Sequence, residues 1–305
     1  MNYEKASAQF ITMVKASGCS SDTIENYSSA LRLFHETVKI PSEVTALQIA
    51  EYKNILSERG LKQSTIRAYL TVLNLFFDFC AETKLIAENP CVSSVIKTKV
   101  QPKREYRHML TKPQMEMLLR PVCPKGATRK TWARTYAMTV VLLTSSMRNS
   151  ELRELTRNDL DFQNGTIHIV SGKGGKERWT AFPNVAQDAV TAYMLSGLYP
   201  KNLSEDAPLF GKGDSAASWH GYERSELSRI IERYVELVTG EEDVRTHALR
   251  HNSASLLFDS GVSVEDISDL LGHSDTRTTW SWYVNRLENN QMQRASNVFD
   301  ALKAV

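Results

Sequence analysis

Thr246–Arg286 reads THALRHNSASLLFDSGVSVEDISDLLGHSDTRTTWSWYVNR, and the rest of the chain is organised around it. His247, Arg250 and His251 fall within about one helical turn of each other. Gly272-His273 follows, and Tyr283 stands ten residues after His273. Two earlier pieces belong with this stretch: MRNSEL, Met147–Leu152, which carries Arg148, and GKGGK, Gly172–Lys176, which carries Lys173. Two arginines, two histidines, a lysine and a tyrosine suit a site that grips a phosphodiester and attacks it with a phenolate.

Working outward, His247 to Ser260 and Ser263 to Leu271 read as helices, followed by a short segment that bears Tyr283. The tail from Glu288 to Lys303 places Met292, Ala295, Val298, Phe299 and Leu302 at helical spacing. Upstream, Thr111 caps a helix with Pro113 in its first turn, and Lys130 to Thr144 is a longer, very apolar helix. Glu151, one turn from Arg148, either orients it or caps the local helix. Thr166 to Val170 and Glu177 to Phe182 read as two strands joined by the Gly-rich connection 171–176. Pro183 to Leu198 and part of Trp219 to Val238 read as helices, so the second domain is mostly helical with a small antiparallel sheet.

The first hundred residues read differently. Tyr3 to Ala16 is a helix closed at Gly18, and Ser20-Ser21-Asp22 supplies caps for a second, with Ile24, Tyr27, Leu31, Phe34 and Val38 on one face. Thr45 starts a third, carrying Leu47, Ile49, Tyr52, Ile55 and Leu56 and closed by Gly60; Ser64 caps a fourth, with Ile66, Tyr69, Leu73, Phe76, Phe77 and Cys80 inward. These four helices make a small all-α domain. The second and fourth begin alike, SDTIENY at 21–27 and QSTIRAY at 63–69, a faint structural echo that is too short for a solenoid.

At 305 residues, two domains are expected: a helical domain over 1–98, a basic linker over 99–110 and a mixed α+β domain over 111–305 that ends in a helix at about 288–303. The net charge of +2 alone does not point to nucleic acid, but residues 1–110 hold a surplus of three positive charges and residues 111–305 a deficit of one. Lys97 to Arg107 has five bases and one acid, with Lys103 and Arg104 at its centre. It reads either as a strip tracking a phosphate backbone or as a solvated linker. Lys62, Ser64, Thr65 and Arg67 crowd the start of the fourth helix, where they meet DNA phosphate or simply cap the helix and face water. The longest apolar run, near Met138 to Leu143, is far too short to span a bilayer, and no signal peptide heads the chain. Cys19, Cys80, Cys91 and Cys123 stand in no metal-ligand or redox spacing and read as reduced, mostly buried thiols of a cytosolic protein.

Gly172–Lys176 lacks the Walker spacing and joins two strands, so it is not a nucleotide loop; a mobile tip of this kind can carry Lys173 into a groove, or be a plain surface turn. His247, His251 and His273 do not make a metal site, because Arg250 beside the first two would repel a dication. Arg148 and Arg250, delivered from different places, point to bidentate clamping of one oxyanion.

Taken in order, RNSEL from Arg148, GKG around Lys173, HALRH from His247 to His251, LLGH ending at His273, and Tyr283 resemble the signature of the tyrosine recombinases, the phage integrase and Xer type. The resemblance covers the whole chain, including a helical N-terminal domain like the family's core-binding domain. Its tyrosine most often stands nine residues after the Gly-His histidine, and here it stands ten. The layout is close to the compact Xer-like one, without room for an arm-binding domain.

What the resemblance implies is a site-specific DNA recombinase that breaks and rejoins strands through a 3′-phosphotyrosyl bond, with neither metal nor ATP. Tyr283 is then the nucleophile, Arg148 and Arg250 hold the non-bridging oxygens, His247 accepts the tyrosine proton, Lys173 protonates the leaving 5′-oxygen and His273 bonds the phosphate; His251 is structural. The partners implied are duplex DNA with paired inverted-repeat core sites and other subunits, of this chain or a related recombinase, forming a tetramer in the synapse; no membrane is involved. The setting implied is the cytoplasm, on the nucleoid. Two readings stand beside it: relaxation of the type IB topoisomerase kind, which a supercoil-relaxation assay without site joining would favour, and a non-catalytic DNA-binding module, against which all six residues stand. A metal-dependent nuclease would need clustered carboxylates that the chain lacks, and EDTA would inhibit it.

Overall fold

In a computed structural model the chain divides into two compact units, Met1–Arg104 and Glu105–Val305. The structure describes residues 2–38, 44–97, 109–124, 128–170, 177–272 and Thr276. Most of the basic linker, Lys103 and Arg104, the loop 171–176 with Lys173, and His273, Tyr283 and the 288–303 tail lie outside those residues.

The first unit is helical: α1 Tyr3–Ala16, α2 Ser21–Val38, α3 Ala46–Glu58, α4 Gln63–Glu82 and the single turn α5 Ser93–Ile96. Local chemistry sets these boundaries. Asn2 caps α1 by accepting from the Lys5 N–H, and Thr45 and Gln48 form a reciprocal capping box on α3. The apolar faces meet in a core of aromatic rings, with Phe34 edge-on to Tyr52 at 4.9 Å and Tyr3 edge-on to Phe76 at 5.2 Å. Lys53 Nζ donates to the carbonyls of Val95 and Lys97 at 2.9 and 3.1 Å, so α3 holds the end of α5.

One expectation fails here. Ser64 does not cap α4; the helix begins at Gln63, with Lys62 as its N-cap, and Ser64 sits inside the first turn. Of the apolar residues that α3 carries, Leu47 is 68% exposed. The buried face of α3 is set by Ile49, Tyr52 and Leu56, and a residue two positions before Ile49 lies well around the helix from that stripe. Of the four cysteines, Cys80 and Cys91 are buried, Cys19 is half-buried and Cys123 is exposed.

The second unit contains α6 Lys112–Leu119, α7 Arg129–Ser145, α8 Asn149–Glu154, β1 Leu160–Asp161, β2 Thr166–Ile169, β3 Arg178–Ala181, α9 Asn184–Leu195, β4 Gly211–Lys212, β5 His220–Gly221, α10 Arg224–Thr239, α11 Thr246–Asp259 and α12 Val264–Leu271. It is mainly α with two small antiparallel sheets, β1-β2-β3 and β4-β5. Helix α7 is the central post, with Ala137, Met138 and Val140 to Leu142 fully buried, and α9, α10 and α11 pack around it. β2 pairs with β3 so that Ile169 stands opposite Arg178 and Ile167 opposite Thr180. β1, β4 and β5, two residues each, are too short to show alternation in the sequence. Among the described residues no helix is long and apolar enough to cross a membrane.

Candidate active site

The carboxyl end of α12 gathers the site. An α-helix ends with carbonyls that have no partner within it, and its dipole leaves partial negative charge there. Three arginines supply the missing donors to three successive carbonyls. Arg178 Nε donates to Leu270 at 3.1 Å, Arg250 Nη2 to Leu271, and Arg148 Nη2 to Gly272 at 2.8 Å. Gly272 closes the helix in the left-handed region, at φ 60°. A Cβ there would stand 2.9 Å from Arg178 Cδ and 3.0 Å from its Nη1, so both conformation and space demand glycine.

Each arginine arrives from a different element. α7 ends at Ser146, a non-glycine residue at φ 54°, and that turn delivers Arg148 as the N-cap of α8. Glu151, at N3, accepts the Arg148 backbone N–H at 2.6 Å and Arg148 Nη1 at 2.7 Å, so it both caps α8 and orients Arg148. Arg250, one turn into α11, is 2% exposed and donates through Nη1 to the Ser146 carbonyl at 2.6 Å. The Ser146 and Ser253 hydroxyls meet at 2.6 Å and tie the end of α7 to α11. Arg178, on β3, places Nη1 and Nη2 on the two oxygens of Glu151 at 2.8 and 2.7 Å, a fork-on-fork pair.

The electrostatics follow from this count. Burial raises the Glu151 carboxyl, but the bonds from Arg178 and Arg148 outweigh it and hold the group at about 2. Burial, followed by the like charge of Arg148, pushes the Arg250 guanidinium down to about 9, still charged at neutral pH. Among the described residues, Arg250's hydrogen bonds go to two backbone carbonyls and none to a carboxylate. Among the described residues, three guanidiniums against the single carboxylate of Glu151 leave this cluster with two positive charges in a mostly desolvated place. Such a cluster is built to receive an anion with two or more oxygens.

Of the six residues expected at the site, Arg148 and Arg250 come together here. His247 lies in the first turn of α11, exposed, with its ring edge-on to His251 at 4.6 Å. Lys173, His273 and Tyr283 fall outside the described residues, although His273 directly follows the Gly272 that Arg148 holds. Arg178 was missed by sequence reasoning. The signal was present in β3: Thr180 and Phe182 are buried, and strand alternation puts Arg178 on their side. An arginine on the inward face of a strand requires a buried acceptor, and Glu151 is that acceptor.

In the first unit, Thr23, Asn26, Tyr27, Ser64, Thr65, Arg67, Ala68 and Tyr69 line an open groove of about 710 Å³. Thr23, Asn26 and Tyr27 of α2 occupy the same places in SDTIENY as Thr65, Ala68 and Tyr69 of α4 in QSTIRAY, so the echoed starts share one surface. Lys62 is exposed but does not line the groove.

A mainly helical unit in which, among the described residues, two arginines share one carboxylate and a third bonds only backbone carbonyls, all at one helix end, has the chemistry to hold an oxyanion. Residues 108–290 match the phage integrase family. The tyrosine recombinase XerC of Halalkalibacterium halodurans is 29% identical over 270 residues, spanning 85% of this chain and 86% of its own. In fold, the chain resembles the XerH site-specific recombinase bound to its palindromic difH substrate, with a TM-score of 0.73, 19% identity and coverage of 96% of this chain and 85% of that one. It also resembles the Tn1549 transposon integrase in complex with transposon right end DNA, with a TM-score of 0.70, 20% identity and coverage of 95% and 99%. The chain belongs to the phage integrase family, the tyrosine recombinases.

The depressed Glu151 carboxyl makes a prediction about acid stability. A carboxyl moved from 4.5 down to about 2 contributes stability that is fully present above about 4.5 and is lost as pH falls toward 2. At this nearly inaccessible position the contribution is on the order of 3 kcal/mol. Urea denaturation of wild type and Glu151→Gln between pH 6 and pH 2.5 should show wild type losing that extra stability, and the variant, which cannot titrate, not losing it.

Proposed function

We propose that this chain is a site-specific DNA recombinase that breaks and rejoins strands through a 3′-phosphotyrosyl intermediate. The observation that carries the reading is the convergence of Arg148 and Arg250 on adjacent carbonyls at the end of α12, with excess positive charge and His273 next in the chain. Family membership supplies the reaction class.

The phenolic oxygen of Tyr283 attacks the scissile phosphorus, and the bond from phosphorus to the 5′-oxygen breaks. The tyrosine proton passes to His247, whose exposed place at the start of α11 leaves it accessible. Lys173, carried by the Gly-rich connection, gives a proton to the departing 5′-oxygen. Arg148 and Arg250 neutralise charge growing on the non-bridging oxygens, and His273 donates to the same group. Preorganised donors of this kind contribute about 3 kcal/mol each when lost singly. The ester to Tyr283 keeps the bond energy, so a 5′-hydroxyl from the partner strand reverses the step and seals the new junction without ATP.

The substrate is duplex DNA with paired inverted-repeat core sites, and the working form is a tetramer of this chain or of this chain with a related recombinase. The setting is the cytoplasm, on the nucleoid. The tail 288–303, with Met292, Ala295, Val298, Phe299 and Leu302 at helical spacing, docks on a neighbouring subunit and couples the tyrosines. In the first unit the groove between the starts of α2 and α4 receives the DNA backbone, with Ser64, Thr65 and Arg67 as its polar edge and Lys62 just outside it. Lys103 and Arg104 in the linker add phosphate contacts.

Two experiments test this. A nicked suicide duplex, carrying the site that the protein selects from a random duplex library, should trap a covalent adduct with wild type. Tyr283→Phe should bind the same duplex and give none; an adduct that survives denaturation in that variant contradicts the assignment. Arg67→Ala should weaken binding about equally across sequences and reduce the slope of log affinity against log salt by about 1. An unchanged slope removes Arg67 from the backbone contacts.

A further inference from the structure

Arg178 uses three of its nitrogens inside the protein. Two hold the two oxygens of Glu151 and the third holds the carbonyl of Leu270. Glu151 in turn fixes both the backbone N–H and the side chain of Arg148. One side chain on β3 thus joins the start of α8 to the end of α12. It stands five residues after Lys173 in the chain, and the α12 end that it grips runs directly into Gly272-His273.

We infer that Arg178 is a positioning residue for strand cleavage, which locks the rotamer of Arg148 through Glu151 and registers β3 against the end of α12. The inference rests on the function proposed above. Without Arg178, Glu151 would keep only Arg148 as its side-chain partner among the described residues, and the Arg148 guanidinium would be free to turn with it. A lysine cannot replace the fork, because a single ammonium does not span both oxygens of Glu151 and the Leu270 carbonyl together. The tight approach of Arg178 to Gly272 shows how little room the arrangement leaves. Arg178 acts through Arg148 rather than on the phosphate, so its effect scales with the charge that Arg148 has to neutralise.

The experiment compares full-length wild type, Arg178→Lys and Arg178→Met on the nicked suicide duplex, with either a normal scissile phosphate or a methylphosphonate, in which a methyl replaces one charged oxygen. On the normal phosphate, both variants should slow adduct formation at saturating protein by about 10- to 100-fold, the loss expected of misplaced catalytic groups. Affinity for the duplex should stay within about threefold, since most backbone contacts are untouched. On the methylphosphonate the loss should shrink to less than about threefold, because there is less charge for a well-placed Arg148 to meet. Equal losses on both substrates, or a loss confined to affinity, would overturn the inference. Arg178→Met leaves Glu151 short of a partner and can fail to fold, which circular dichroism detects; Arg178→Lys keeps a cation beside Glu151 and then carries the test. A wild type that gives no adduct overturns the function itself, and this inference with it, whereas a reactive wild type with substrate-independent losses overturns this inference alone.

Discussion

One buried carboxylate holds the site in place. Glu151 accepts from the Arg148 backbone and from the side chains of Arg148 and Arg178, all at 2.6 to 2.8 Å. Without it, two guanidiniums would face each other in a desolvated corner with a third, that of Arg250, close behind. Removing one partner of a buried ion pair costs about 3–5 kcal/mol because the remaining charge is left uncompensated. The carboxyl end of α12 does the rest, since its carbonyls give each arginine a fixed acceptor without neutralising a full charge.

That division of labour explains how the site can be rigid and still hungry for an anion. Were every arginine matched to its own carboxylate, an incoming phosphate would have to break ion pairs before it could bind. Here the orientation comes from backbone carbonyls and a single shared acid, and in the proposed function the surplus charge of the described residues meets the scissile phosphate. Donors fixed in advance cost no reorganisation when charge develops on the phosphorus oxygens. The strained turn at Ser146 belongs to the same scheme: its carbonyl holds Arg250, its hydroxyl meets Ser253, and the chain leaving it places Arg148.

Much of the fold was legible because its causes are local. The helix starts at Tyr3, Thr45 and Thr111, the apolar stripe of α4 and the pairing of β2 with β3 are each written within a few residues. The start of α4 was misread because the sequence offers Ser64 as a cap while the backbone turns two residues sooner, at Lys62. At the site, Arg148 and Arg250 were legible as residue types in a known order. Glu151 was legible beside Arg148, three residues away, but the other partners were not, because those contacts bridge long spans of chain: Arg250 to Ser146 crosses 104 residues, Arg148 to Gly272 crosses 124, and Arg178 to Glu151 crosses 27. α11 concealed its role for another reason. It buries Asn252, Ser253, Ser255 and Arg250 along with its apolar residues, so no clean stripe marks its inward face.

The central claim is that Arg148 and Arg250, aligned by Glu151 and by the end of α12, form the cradle for a pentacoordinate phosphorus. The most direct measurement is a crystal structure of the protein on a cleaved core-site duplex with vanadate bridging Tyr283 and the 5′-hydroxyl. The account predicts vanadate oxygens within hydrogen-bonding distance of both guanidiniums, with the Glu151–Arg178 pair and the Gly272 carbonyl contact intact. Vanadate held by other residues, or a Glu151 that has left Arg178 to follow Arg148, would contradict it.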